Sequence, residues 1–138
     1  MIIQHKLSLE TKGFNDILNI TQPLQRFINE SNLKNGQINV FVPGSTGGLT
    51  TIEYEPGLLR DIPEMLEKIA PMHSKYHHDD TWHDGNGYAH LRAALIGPSI
   101  TVPFQEGRMQ LGTWQQIVFI DFDNRPRNRS LHVQIYGE

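Results

Sequence analysis

Apolar and polar positions divide the chain into short segments of differing period. In the opening IIQHKLSLE, Ile3, His5, Leu7 and Leu9 fall on one face, a period-2 pattern that predicts a strand. Gly13 interrupts it, and FNDILNI continues extended. PLQRFINESN reads as a helix with Thr21 as its cap and Pro23 in its first turn, where the missing N–H costs little. Asn35-Gly36 is a turn signal. INVFVP and LTTIEYE are β-branched runs on either side of Gly44-Ser-Thr-Gly-Gly48. Asp61-Ile-Pro-Glu64 has the spacing of a capping box, which predicts a helix from there through MLEKIA to Pro71. Tyr88 to Ile96 predicts a short helix, with Leu91 and Leu95 on one face and Gly97-Pro98 as its stop. The last third is strand and turn: SITVPF, RMQLG, WQQIVFIDFD and SLHVQIYG. About seven strands and three helices result. Hairpins with interspersed helices predict an α+β fold with a largely antiparallel sheet, compact and in one domain over residues 1–138.

Composition narrows the classes. A chain of 138 residues with 38% hydrophobic content can bury a core without staples. Its formal net charge of −3 gives no basic patch for a general nucleic-acid binder. The absence of cysteine removes disulfides, thiolate ligands and cysteine nucleophiles. The start, MIIQHKLSLE, turns polar at its fourth residue, unlike a signal peptide, and no apolar run approaches the roughly 20 residues of a membrane span. The expectation is a cytoplasmic protein with neither nucleic acid nor membrane as partner.

Candidate chemistry concentrates in YHHDDTWHDGNGYAH, residues 76–90, which hold four of the seven histidines. His78, His83 and His90 with Asp79, Asp80 or Asp84 could ligate zinc or a similar ion. They could equally transfer protons, since an imidazole titrates near neutrality. Spacing alone also fits a solvated polar loop. GSTGG could bring backbone N–H groups to an anion, or simply join two strands. Arg108, in GRMQLGTWQQ, offers a planar fork for carboxylate or phosphate. Thr113 and Gln115 could hydrogen-bond a ligand, while Trp114 could stack on it or fill the core. NRPRNR could bind phosphate but reads rather as a solvated hairpin turn beside Asp121 and Asp123, and Glu53 as a strand glutamate.

Together FVPGSTGGLTTIEYEPG, YHHD, AHLRAALIGPS, VPFQEGRMQLGTWQQIVFIDFD and VQIYGE resemble the YjbQ family, often labelled secondary thiamine-phosphate synthase, over nearly the whole chain. The resemblance implies a homotrimer whose polar motifs line a pocket near a subunit interface. It places the family's tyrosine-x-histidine motif on Tyr76 and His78, its helix-opening histidine on His90, and its acidic residue on Glu53. The GTWQ signature falls on Gly112 to Gln115. Gly44 and Tyr88 stand where many members carry histidine, which makes His83 the candidate replacement. The expectation is therefore an enzyme of the thiamine-phosphate synthase type acting on a small anionic molecule. His90, His78 and Glu53 would be catalytic. Arg108, Thr113, Trp114, Gln115, Ser45 and Thr46 would bind substrate. His78, His83 and His90 would hold a divalent metal, zinc or magnesium. The alternative is a non-catalytic trimeric protein that binds a metal or small anion.

Overall fold

The computed structural model describes residues 1–138. The order is β1 (Ile2–Thr11), β2 (Asp16–Asn19), α1 (Thr21–Ser31), β3 (Gly36–Phe41), β4 (Gly47–Glu53), α2 (Pro56–Ile69), α3 (His77–Trp82), α4 (Gly87–Ile96), β5 (Ser99–Gln105), β6 (Arg108–Met109), β7 (Gln115–Asp121) and β8 (Arg127–Gly137). Two antiparallel sheets form, one of five strands ordered β1-β8-β3-β5-β6 and one of three ordered β2-β7-β4. The α+β expectation holds, with eight strands and four helices.

The layering follows from strand alternation. In β8, Arg129, Leu131, Val133 and Ile135 are buried while the residues between them are exposed. Its sheet therefore turns one face inward and leaves a polar face open. β7 is buried on both faces. Ile117 and Phe119 meet the five-stranded sheet and the α1 residues Leu24 and Ile28 in one core. Val118, Ile120 and the following Phe122 pack into a second core with Leu66 of α2 and Tyr88, Ala89 and Ala93 of α4. The order of layers is thus five-stranded sheet, three-stranded sheet, then α2 and α4, with α1 packed into the core between the sheets.

Three local expectations are corrected. Thr21 is the first helical residue and Ile20 occupies the cap. The Thr21 hydroxyl instead accepts the Ile117 N–H, tying α1 to β7. The Asp61–Glu64 pattern starts no helix, because α2 begins a turn and a half earlier at Pro56. There the Glu55 carboxylate accepts the N–H groups of Gly57 and Leu58, and proline takes the first helical position. Pro63 lies inside α2. Finally, His77–Trp82 forms a helical turn and a half, α3, where the sequence suggested only a loop.

Candidate functional site

The alternation that builds the cores also builds the site. Along the inner face of β7 the row Ile117, Phe119 continues to Asp121, and along β8 the row Ile135, Val133, Leu131 continues to Arg129. At this end of the sandwich the apolar rows finish in a buried ion pair. Arg129 donates through Nε to Asp121 Oδ2 and through Nη2 to Asp121 Oδ1, both at 2.8 Å. Thr11 Oγ1 donates to the same carboxylate, and Arg129 Nη2 also reaches Thr46 Oγ1 at 2.8 Å. Asp123, just beyond β7, receives hydrogen bonds from Thr46 Oγ1, Arg127 Nη1 and Asn86 Nδ2. Burial would push the Asp123 carboxyl up. Hydrogen bonds from the Asn124 N–H, Asn86 and Thr46, with the charge of Arg127, outweigh it and hold the group below its ordinary range. The expected solvated turn at Arg127 and Arg129 is thus corrected: both guanidiniums pair with buried carboxylates.

Asn86 carries this network to the histidines. An ionised Asp123 can only accept, so the Asn86 amide nitrogen faces it and the amide oxygen faces away. That oxygen lies 3.1 Å from His78 Nε2. Asp84 Oδ1 lies 3.4 Å from the same nitrogen. Two acceptors at one ring nitrogen make it the protonated one, which leaves the lone pair of a neutral His78 on Nδ1. His78 sits in α3 and His90 in α4, with ring centroids 4.1 Å apart. Asp79 fixes the two helices together, since its Oδ1 accepts the Gly87 N–H at 2.9 Å. Gly87 is required there, because a Cβ would come within 2.6 Å of the Tyr76 side chain. Burial, and then the neighbouring His78, lower the His90 pKa below its ordinary value, so its imidazole is neutral at neutral pH.

His90 separates two clefts. One, about 260 Å³, is lined by Tyr76, His77, His78 and Leu91 among others. The other, about 210 Å³, runs past Gly44, Ser45, Gly47, Ala93 and Pro98. Larger furrows of about 450 and 520 Å³ cross the open face of the five-stranded sheet, away from the histidine pair.

The other sequence-derived candidates divide. Ser45 and Thr46 lie at the histidine end, Ser45 exposed and Thr46 buried against Asp123 and Arg129. His83 is the left-handed C-cap of α3, exposed, and outside the group of His78, Asp79 and Asp84, whose donor atoms lie within 4.8 Å of one another. Glu53 pairs with Gln115 at the opposite end of β4, whose Gly47 pairs with Asp121. Six residue steps, roughly 20 Å, separate these ends. Gln115 braces its own turn, accepting the Gly112 N–H and donating to Thr51 Oγ1. Thr113 is exposed, and Trp114 is 72% exposed rather than in the core. Arg108 is exposed on β6, the edge of the other sheet. Residue types alone did not single out Asn86 or Asp123, and offered Arg129 only as one of three arginines in a hairpin turn. The signal for Arg129 was its place in the inner-face row of β8.

The family model described as "UPF0047 protein YjbQ-like" matches residues 5–138. A UPF0047 protein of Archaeoglobus fulgidus is 40% identical, covering 94% of this chain and 98% of its own. Another, from Bacillus subtilis, is 30% identical over 95% and 97%. Among solved structures, a YbjQ-like protein of unknown function from Sulfolobus solfataricus superposes with a TM-score of 0.93 at 28% identity, covering 100% of this chain and 99% of its own. An uncharacterised YjbQ/UPF0047 protein of Clostridium acetobutylicum gives 0.87 at 35% identity, over 96% and 99%.

Proposed function

We propose, for a chain that belongs to the YjbQ-like UPF0047 family, that the His78–His90 pair is the acid–base centre of an enzyme acting on a small anionic molecule. The observation that carries this reading is the tether of His78. Its Nε2 proton is held by Asn86, which is held in turn by buried Asp123. Such a chain fixes both ring orientation and tautomer, as proton transfer requires. Beside it, neutral His90 can accept a proton at neutral pH.

A divalent cation is the second reading, favoured by His78, Asp79 and Asp84. One imidazole and two carboxylates suit zinc with a remaining position for water, and suit magnesium less well because of the nitrogen. When bound, such a cation would polarise an oxyanion or lower the pKa of a water. The chain's own part would be to orient these donors through Asn86 and the Gly87 N–H.

The reading includes a second copy of the chain. Each cleft beside His90 is smaller than the roughly 300–1,000 Å³ of small-molecule sites. Glu53, Trp114 and Gln115 cannot reach it within one chain. In a homotrimer a neighbour could supply them. Light scattering should then give three times the 15.8 kDa chain mass, and a strict monomer would remove these residues from the site.

Thiamine-phosphate synthesis is the specific reaction to assay, because its diphosphate leaving group needs a cation or basic clamp. Purified protein is analysed for metal, then given the pyrimidine diphosphate and thiazole phosphate, with His90→Ala alongside. Turnover that depends on His90 supports the enzyme reading. Saturable binding of metal or anion without turnover of any phosphorylated or carboxylated substrate tried would make the protein a binding module.

A further inference from the structure

We infer that the Gly44–Thr46 loop and the free edge of Arg129 form a binding site for one oxyanion group, a phosphate or a carboxylate, next to His90. The inference deepens the proposed function by assigning the charged end of its substrate; it keeps the glycine-rich loop that the sequence offered as an anion binder and replaces Arg108 with Arg129.

Arg129 is 6% exposed. Its Nε and Nη2 are committed to Asp121 and Thr46. Its Nη1 donates to no protein acceptor and is not fully enclosed, so it reaches solvent. It does so beneath Gly44, where a Cβ would stand 3.4 Å from it. Gly44 has φ +132°, a backbone conformation that other residues adopt only with strain. The missing side chain therefore leaves a buried guanidinium one open nitrogen toward the loop. In the same loop the N–H groups of Gly44, Ser45 and Thr46 bond to no backbone carbonyl, while the Thr46 carbonyl accepts from Phe122 and anchors the loop. Successive free N–H groups around a concavity favour an anion, and a guanidinium at its base adds charge with directed donors. Gly44 and Ser45 share their cleft with His90. An oxyanion bound here would place the rest of a small molecule against the neutral imidazole.

The test uses inorganic phosphate and the full chain. Phosphate is titrated by calorimetry and by the imidazole resonances of the seven histidines. Saturable binding that shifts His90 and leaves His132, on the open sheet face, unmoved is expected. Gly44→Ala puts a methyl against Nη1 and should weaken binding at least tenfold, as should Arg129→Lys, which keeps the charge but loses the fork. Arg108→Ala should leave affinity unchanged. His90→Ala should keep it within about threefold, since backbone and Arg129 hold the ion, so lost turnover with retained phosphate separates this site from the acid–base reading. No saturable binding, binding that leaves His90 unmoved, or binding lost in Arg108→Ala would each overturn the proposal. Should Gly44→Ala and Arg129→Lys both fail to fold, the His90 response in the wild-type chain decides alone.

Discussion

The two ends of the three-stranded sheet are built from similar residue types and differ in every physical respect. At the Gly47–Asp121 end, two carboxylates, a guanidinium, an amide and two hydroxyls are buried, and each is paired. At the Glu53–Gln115 end, a carboxylate, a tryptophan and a threonine stand in solvent, and only Gln115 is tied down. The difference teaches that polarity does not locate a site, whereas constraint does. The first end holds an imidazole in one tautomer without help. The second needs something to cover it before its residues can act.

The largest effect that separates the ends is on stability. Arg129→Met leaves the Asp121 carboxylate buried with its bidentate partner gone, and should cost about 3–5 kcal/mol in urea unfolding. A loss under 1 kcal/mol would mean that the network is not held as described. Next comes function: His90→Ala should lower turnover by roughly 10²–10⁴, the worth of a positioned acid or base, with little change in melting temperature. Third is pH. Because the folded His90 pKa lies below 6.5, the unfolded chain binds the proton first. Stability should therefore fall as pH drops from about 6.5 toward the folded value. Asp123, also lowered, acts in the same direction, but its window opens only below about 3.8. Thermal melts across pH should show both limbs, and His90→Ala should lose the upper one alone. The smallest effect belongs to the exposed end. Trp114→Ala should change monomer stability by no more than about 0.5 kcal/mol. If a neighbouring copy covers that end, the same substitution should lower the assembly mass in sedimentation.

Much of the fold was legible. The alternation of IIQHKLSLE and SLHVQIYG, and the apolar run Ile117–Ile120 within WQQIVFIDFD, carry period and burial directly, and they gave the antiparallel α+β class. Helix starts were less legible. Glu55 caps α2 through a side-chain geometry that the Asp61–Glu64 spacing imitates by coincidence. The histidine region was half legible. His78 and His90 do meet, because α3 and α4 are joined through Asp79 and Gly87, a tertiary fact that no spacing carries. Asn86 was invisible because its importance lies in two partners distant in kind, Asp123 and His78. Arg129 was readable in principle, four strand positions from Val133 on a face that is otherwise apolar, but the flanking NRPRNR composition suggested a turn.

The pairing of β1 with β8 has a consequence for how the molecule comes into being. Ten consecutive residues of one strand lie beside the other, from Ile2 opposite Tyr136 to Thr11 opposite Arg127, and the Met1 ammonium donates to the Gly137 carbonyl. Partners as far apart as Thr11 and Arg127, 116 positions along the chain, bring a loop-closure entropy that must be met before their contacts contribute. Chains dominated by such pairings acquire structure in milliseconds to seconds rather than microseconds. During synthesis, β1 emerges first and waits as an unpaired edge until the last strand has left the ribosome. Gln4, Lys6 and Glu10 alternate along its exposed side, and polar or charged side chains on an open strand disfavour pairing with a wrong neighbour.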